Sequence, residues 1–166
     1  MKTEPDFKIN PLNSENVQPF GEVIEKPSRE PSVEVEGVQC YWHNVNSLKE
    51  LGQDAVTGYL EAPRREFTLA KMERHKNTQE AFIPLKGVSI FMLAPPREQP
   101  DPSNITPFLM DGSKGILLGE GVWHWVPFPL TQEATFALLL KKETVEEDIE
   151  ILEFDSFGQE PLELSF

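Results

Sequence analysis

The segment "KMERHKNTQEAFIPLKG", Lys71 to Gly87, sets an alternating run before a polar turn and an apolar run after it. In an extended chain, successive side chains point to opposite faces. Phe67, Leu69, Lys71, Glu73 and His75 are therefore expected on one face, with Thr68, Ala70, Met72 and Arg74 on the other. If Phe67 and Leu69 face an apolar interior, Glu73 and His75 face it with them. A carboxylate there costs several kcal/mol unless it is paired or bound to a cation. In "GVWHWVP" the same alternation puts His124 with Val122 and Val126, opposite Trp123 and Trp125. Two inward histidines with nearby carboxylates make a candidate site.

Outward from this stretch, short apolar runs alternate with turns. "TGYLEAP", "REFTLAKMERH", "AFIPL", "VSIFMLAPP", "ITPFLMDG", "GILLGEGVWHWVPF" and "ATFALLLKK" read as strands. Asp111-Gly112 suits a tight hairpin. With 15 Pro and 10 Gly scattered along the chain, long helices have little room. One short helix is expected at "NSENVQPFG", capped by Asn13 or Ser14, and a second near "NVNSLKELG". Many strands without intervening amphipathic helices predict an all-β sandwich or barrel. The chain reads as one domain over 1–166, with a Pro- and Glu-rich loop at 24–37. A chain of this length buries roughly 70% of its unfolded surface.

The charge balance, 28 acidic against 15 basic residues, gives a formal −13. Phosphate backbones require positive fields, so no nucleic-acid partner is expected. A few cations in a pocket still admit a small anionic substrate. The acid-rich "EPSVEVEG" and "KKETVEEDIEILE" read as solvated faces. A single cysteine, Cys40, excludes an intramolecular disulfide framework and reads as an unreactive, partly buried thiol. The polar N-terminal stretch lacks the apolar run of a leader, and no segment approaches the ~20 apolar residues of a membrane span. A soluble cytoplasmic protein without membrane partners is the expectation.

Spacing adds a motif. Four residues separate His75 from Glu80, six separate Glu80 from Gly87, and Gly121 stands three before His124. This order resembles the two metal motifs of the cupin superfamily, G-x5-H-x-H-x(3,4)-E-x6-G and G-x5-P-x-G-x2-H. His75 takes the second histidine of the first motif, Glu80 its glutamate, and His124 the histidine of the second. Glu73 replaces the first histidine, its preceding glycine is absent, and Gly119 stands in place of the proline.

A narrower resemblance spans most of the chain. Pro19, Phe20, Gly21, Glu22, Val23 and Ile24 match P-[FY]-G-[DE]-V-I; Glu73, Arg74 and His75 match E-R-H. Phe82, Ile83, Pro84, Lys86 and Gly87 match F-I-P-x-K-G, and Val122, Trp123 and His124 match V-W-H. His43 in "YWHN" falls where the pattern has a histidine after a tyrosine. Together these are similar to the ureidoglycolate lyases. One departure is Glu80, two residues before Phe82, where the pattern can carry Gln; Gln79 is displaced one position earlier.

The resemblance implies a cupin double-stranded β-helix (a jelly-roll barrel), a homodimer, and cleavage of ureidoglycolate to glyoxylate and urea in purine and allantoin breakdown. Glu73, His75, Glu80 and His124 are expected to bind a divalent metal, two histidines with carboxylates suiting Ni, Mn, Fe, Co or Zn, with no organic cofactor. One glutamate is alternatively the general base. Lys86 or Lys71 would pair with the substrate carboxylate, and His43 is a candidate proton donor. Each residue also has a plain structural reading: a strand histidine paired with a neighbouring acid for His75, a core histidine with a backbone acceptor for His124, a turn residue for Glu80, a pocket-edge hydrogen bond for His43. Trp123 and Trp125 read as packing residues, and Lys86 and Arg74 as surface residues. Arg74, opposite His75, is discounted as a ligand-binding group. Two rival functions remain: a metal cupin acting on another small hydroxy or keto acid, and a cupin that binds a small molecule without turning it over.

Overall fold

The computed structural model describes residues 7–165; the ends of the 1–166 span, including the start of the polar N-terminal stretch, lie outside the described residues. Two β-sheets face one another. In the first, the strand order is Asn10–Pro11, Thr106–Met110, Ser89–Ala94, Trp123–His124, Lys71–Arg74 and Glu150–Glu153, with Phe128–Pro129 also paired to Ser89–Ala94. The second runs Gly21–Ile24, Gly115–Leu118, Glu80–Lys86, Glu133–Lys141 and Ala55–Pro63. From Lys71 onward the chain crosses repeatedly between the sheets, which is the winding of a double-stranded β-helix. The expected all-β jelly-roll is thus the observed architecture.

Strand Ser89–Ala94 shows why the barrel is firm: all six residues are buried. Phe91 and Leu93 join Val23, Phe82, Phe108, Ile116 and Phe136 between the sheets. Ile90, Met92 and Ala94 join Leu69, Met72, Trp123 and Phe128 in a second layer, closed by Phe154, Leu162 and Leu164. Each large apolar side chain fully buried in this way contributes about 1.5–3 kcal/mol. The C-terminal segment is therefore part of the core, covering the outer face of the first sheet.

Several local expectations change. The run "REFTLAKMERH" breaks at Ala70 into Thr68–Leu69 and Lys71–Arg74, because the Ala70 carbonyl accepts the Phe154 N–H and Leu69 pairs with Leu162. The alternation restarts there, so Leu69 lies in the same layer as Met72 rather than with Glu73. Glu73 faces inward because it is opposite Met72, not because it follows Phe67 and Leu69. Asp111-Gly112 does not close a hairpin. It carries the chain from one sheet to the other, with the Asp111 carboxylate accepting the Ser113 N–H and hydroxyl.

The first expected helix is Ser14–Val17, with Asn13 Oδ1 accepting the Asn16 N–H. The second is only a 3-10 turn, Lys49–Leu51, and a helix not foreseen forms at Thr144–Glu147. The 24–37 loop contains a strand, Val33–Val35, paired with Gln39–Tyr41 as an exposed ribbon. Cys40 lies on that ribbon and is exposed, not partly buried. Among the described residues no helix is long and apolar enough to cross a membrane.

Candidate functional site

Four of the expected residues meet inside the barrel. Strand Lys71–Arg74 supplies Glu73, its end supplies His75, strand Glu80–Lys86 opens with Glu80, and strand Trp123–His124 ends in His124. His124 pairs directly with Glu73 across the first sheet. The second sheet brings Glu80 over from the other side. Gly121 makes the approach of the last strand possible. Its φ of 76° is unfavourable for an L side chain, and its N–H donates to the His75 carbonyl at 2.6 Å.

Glu80 Oε2 lies 3.1 Å from Nε2 of both His75 and His124, and Glu73 Oε1 lies 3.7 Å from His124 Nε2. Both imidazoles are fixed from behind. His75 Nδ1 is 2.7 Å from the Asp148 carbonyl, and His124 Nδ1 is 3.0 Å from the Val122 carbonyl. A carbonyl only accepts, so each Nδ1 carries the proton and each Nε2 turns a lone pair inward when the ring is neutral. Phe82 and Phe91 form an apolar wall beside His124, with ring centroids at 5.9 and 6.2 Å.

His75, Glu80 and His124 are all buried, and Glu73 is partly open. Burial alone pushes the Glu80 carboxyl up. The histidine contacts, led by His124, outweigh burial and hold it at about 2. Burial likewise pushes His75 down, but Glu80, the Asp148 carbonyl and Glu73 together raise it to about 9. The 3.1 Å contacts have ion-pair length, yet Glu80 Oε2 and His124 Nε2 lack a well-angled hydrogen bond. With His75 protonated, imidazolium and carboxylate stabilise one another; with both rings neutral, the same contacts leave lone pairs facing inward. Lone pairs on two imidazoles and a carboxylate converge on a point rather than on one another, an arrangement suited to a cation.

Glu73, His75 and His124 each offer a ligand atom within 4.8 Å of the others. Glu80 is not in that trio, but its two 3.1 Å contacts put it against both imidazoles. Two nitrogens with carboxylate oxygens form a donor set that fits a divalent transition metal.

The other expected residues lie elsewhere. Lys86 is exposed at the far end of strand Glu80–Lys86 and pairs with Glu133. Six residues of extended chain put it about 20 Å from Glu80. His43 is exposed beside the ribbon, 3.1 Å from the Tyr41 hydroxyl. Neither meets the cluster. Lys71 shares the Glu73 face two residues away, is partly buried, stands 5.3 Å from the Trp125 ring and pairs with Glu153 at 3.5 Å.

Arg74 points away from His75 as expected but is buried, not a surface residue. Its guanidinium grips Glu150 at 2.9 and 3.1 Å, lies 4.4 Å from the Trp123 ring and donates to the Arg97 carbonyl. The partners missed from sequence are Asp148 and Glu150. Both sit in an acidic run whose local pattern is that of a solvated face, and no local signal marks them.

The ureidoglycolate lyase family model matches residues 4–160. The chain is 29% identical over 136 residues to "Ureidoglycolate lyase 2" of Rhizobium meliloti, covering 79% of this chain and 83% of that one. It is 28% identical over 138 residues to the ureidoglycolate lyase of Azotobacter vinelandii, covering 80% and 83%. With that of Pseudomonas aeruginosa it shares 31% over 123 residues, covering 71% and 73%. Among solved structures it is similar to dTDP-4-dehydrorhamnose 3,5-epimerase of Elizabethkingia anophelis, with a TM-score of 0.48, 14% identity and 81% of each chain covered. The family match runs through every strand that builds the cluster: this chain belongs to the ureidoglycolate lyase family.

Proposed function

We propose that this protein cleaves ureidoglycolate to glyoxylate and urea. The observation that carries the reading is the convergence of His75, His124, Glu80 and Glu73 in a chain of this family. Ureidoglycolate is a hemiaminal bearing a carboxylate. A base removes the hydroxyl proton, the C–O bond becomes a carbonyl, the C–N bond breaks, and the departing urea nitrogen takes a proton. No water is added and no redox change occurs.

Glu73 suits the base, being the one carboxylate of the cluster with access to solvent and substrate. Its neighbour His124, with Nδ1–H held by the Val122 carbonyl, keeps Nε2 aimed at the reacting region. Lys71 takes the substrate carboxylate in preference to Lys86. It lies on the Glu73 face, about 7 Å along the strand. Phe82 and Phe91 keep water from the His124 side, which strengthens charge interactions within. His75, His124 and Glu80 are the residues that would hold a divalent metal, leaving Glu73 as the base; when bound, the metal would lower the substrate hydroxyl pKa and gather its oxygens.

The same reading includes a homodimer and a cytoplasmic location. Tyr59 and Leu85 are 66% and 55% exposed, which supports a covered outer face, and the unpaired exposed Cys40 suits a reducing compartment.

The test is to supply ureidoglycolate to the purified protein and follow glyoxylate, with and without added divalent metal. Glyoxylate release that falls by at least about 100-fold in His75→Ala and His124→Ala is expected, the range for loss of a general acid–base or metal-site group. Undiminished release in both variants would reject the site. Turnover of other hydroxy or keto acids but not ureidoglycolate would replace the substrate.

A further inference from the structure

We propose that Asp148 is a positioning residue, which with Glu150 clamps residues 74–77 and fixes the orientation and tautomer of His75. The proposal rests on the function given above but stands on its own contacts. Asp148 meets that segment four times: its carbonyl is 2.7 Å from His75 Nδ1, and its carboxylate accepts the Lys76 N–H at 2.9 Å, the Asn77 N–H at 2.9 Å and the Asn77 side-chain amide at 3.1 Å. Glu150 completes the grip. It takes Arg74 through both carboxylate oxygens and Lys76 Nζ at 2.7 Å. Every residue from 74 to 77 is thus held by one of two acids more than 70 positions downstream.

The arrangement links two functions in one residue. The carboxylate bonds to backbone N–H groups of the turn decide where the Asp148 backbone lies relative to His75. The carbonyl of that same residue then accepts the hydrogen bond from Nδ1–H, which turns Nε2 towards Glu80. The Asp148 N–H is itself held by the Thr144 carbonyl at 3.0 Å, so the short helix Thr144–Glu147 braces the carbonyl from the other side. A side chain that only neutralised surface charge would not need three bonds to one turn. The same segment runs on into strand Glu150–Glu153 and the apolar residues Phe154 and Leu162, so the clamp is anchored in the core.

The experiment compares Asp148→Ala with the wild-type protein by two readouts. One is the exchange-protected His75 Nδ1–H resonance in 15N-resolved NMR, assigned by its absence in His75→Ala. The other is the split of kcat from KM for glyoxylate release. Asp148→Ala is expected to lose the protected resonance and to lower kcat about 10–100-fold with KM little changed, the usual effect of removing a group behind a site histidine. Asp148→Asn, which keeps an acceptor oxygen, should recover part of both.

Retention of the resonance together with wild-type kcat in Asp148→Ala overturns the proposal. So does a lowered unfolding midpoint with both readouts unchanged, because that is a purely structural residue. If Asp148→Ala does not fold, Asp148→Glu decides by the same two readouts, since its extra methylene displaces the carboxylate from the turn. Wild-type protein that shows the protected resonance but releases no glyoxylate sinks the lyase reading and leaves the clamp standing. Active wild-type protein without the resonance sinks the clamp alone.

Discussion

At the scale of single residues, Glu80 is where the chemistry concentrates. A carboxylate between two imidazoles is stabilised in its charged form, and His75 is stabilised in its protonated form by that carboxylate. The two shifts have opposite pH consequences in metal-free protein. Glu80 is lowered from 4.5 to about 2, so its contribution to stability is present above pH 4.5 and is lost as pH falls towards 2. His75 is raised from 6.5 to about 9, so its contribution is present below pH 6.5 and is lost as pH rises through about 9.

Metal-free protein should therefore have its highest thermal midpoint between pH 4.5 and 6.5. Glu80→Gln should flatten the alkaline fall, because Glu80 is the largest of the groups raising His75. Calorimetric scans across pH on chelator-dialysed samples check both. A wild-type profile indistinguishable from that of Glu80→Gln above pH 6.5 would show that the pair is not formed. Glu80 also marks the limit of reading by pattern: an acid just after a polar turn has the spacing of a ligand and the look of an exposed turn residue. Only the opposing sheet, which brings in His124 from 44 positions away, decides between them.

At the scale of elements, Arg74 joins strand Lys71–Arg74 to strand Glu150–Glu153 and to the Trp123 layer at once. Arg74→Leu keeps an apolar contact with Trp123. It removes the donor to the Arg97 carbonyl and both bonds to Glu150. Because Glu150 is 39% exposed and can turn to water, the loss is less than that of a fully buried pair. A destabilisation of about 1–3 kcal/mol is expected, the range for buried groups left without partners. It would be read as a fall in the urea midpoint with an unchanged slope. An unchanged midpoint would mean that the Trp123 contact alone sets the energetics of this joint.

What was legible at this scale divides by distance along the chain. The strands Glu80–Lys86 and Ser89–Ala94 announce themselves through continuous apolar runs. So does the inward aim of His124, because Val122, His124 and their neighbours alternate without interruption. The break at Ala70 does not, since its cause is the Phe154 N–H arriving from far downstream. Glu73 was therefore placed correctly from a premise about Leu69 that the fold reverses. Asp148 and Glu150 were invisible for the same reason. Their partners are 71–76 positions away, and the intervening acidic composition describes solvation rather than contact.

At the scale of the whole molecule, the two sheets are finished differently. The first has its outer face closed by Phe154, Leu162 and Leu164. On the second, Ala81, Leu117 and Thr135 are buried, but the outer face around Ala137 and Ile83 is only partly covered among the described residues. Cross-strand pairing places Tyr59 beside Ala137 and Ile83 there, and Leu85 follows two residues on. Tyr59 and Leu85 are the most exposed large apolar residues on these strands, at 66% and 55%. A net charge of −13 would keep copies apart unless such a face provided apolar area to offset the repulsion. The proposed homodimer should therefore form through this face and strengthen with added salt, because screening weakens charge repulsion and leaves apolar burial intact. Tyr59→Glu with Leu85→Glu should shift the mass measured by light scattering from dimer to monomer. Neither position touches the barrel interior, so glyoxylate release per chain should be retained if each site is built from one copy. A wild-type protein that runs as a monomer at all salt concentrations would remove the dimer. A double variant that is monomeric and inactive would instead show that the second copy completes the site.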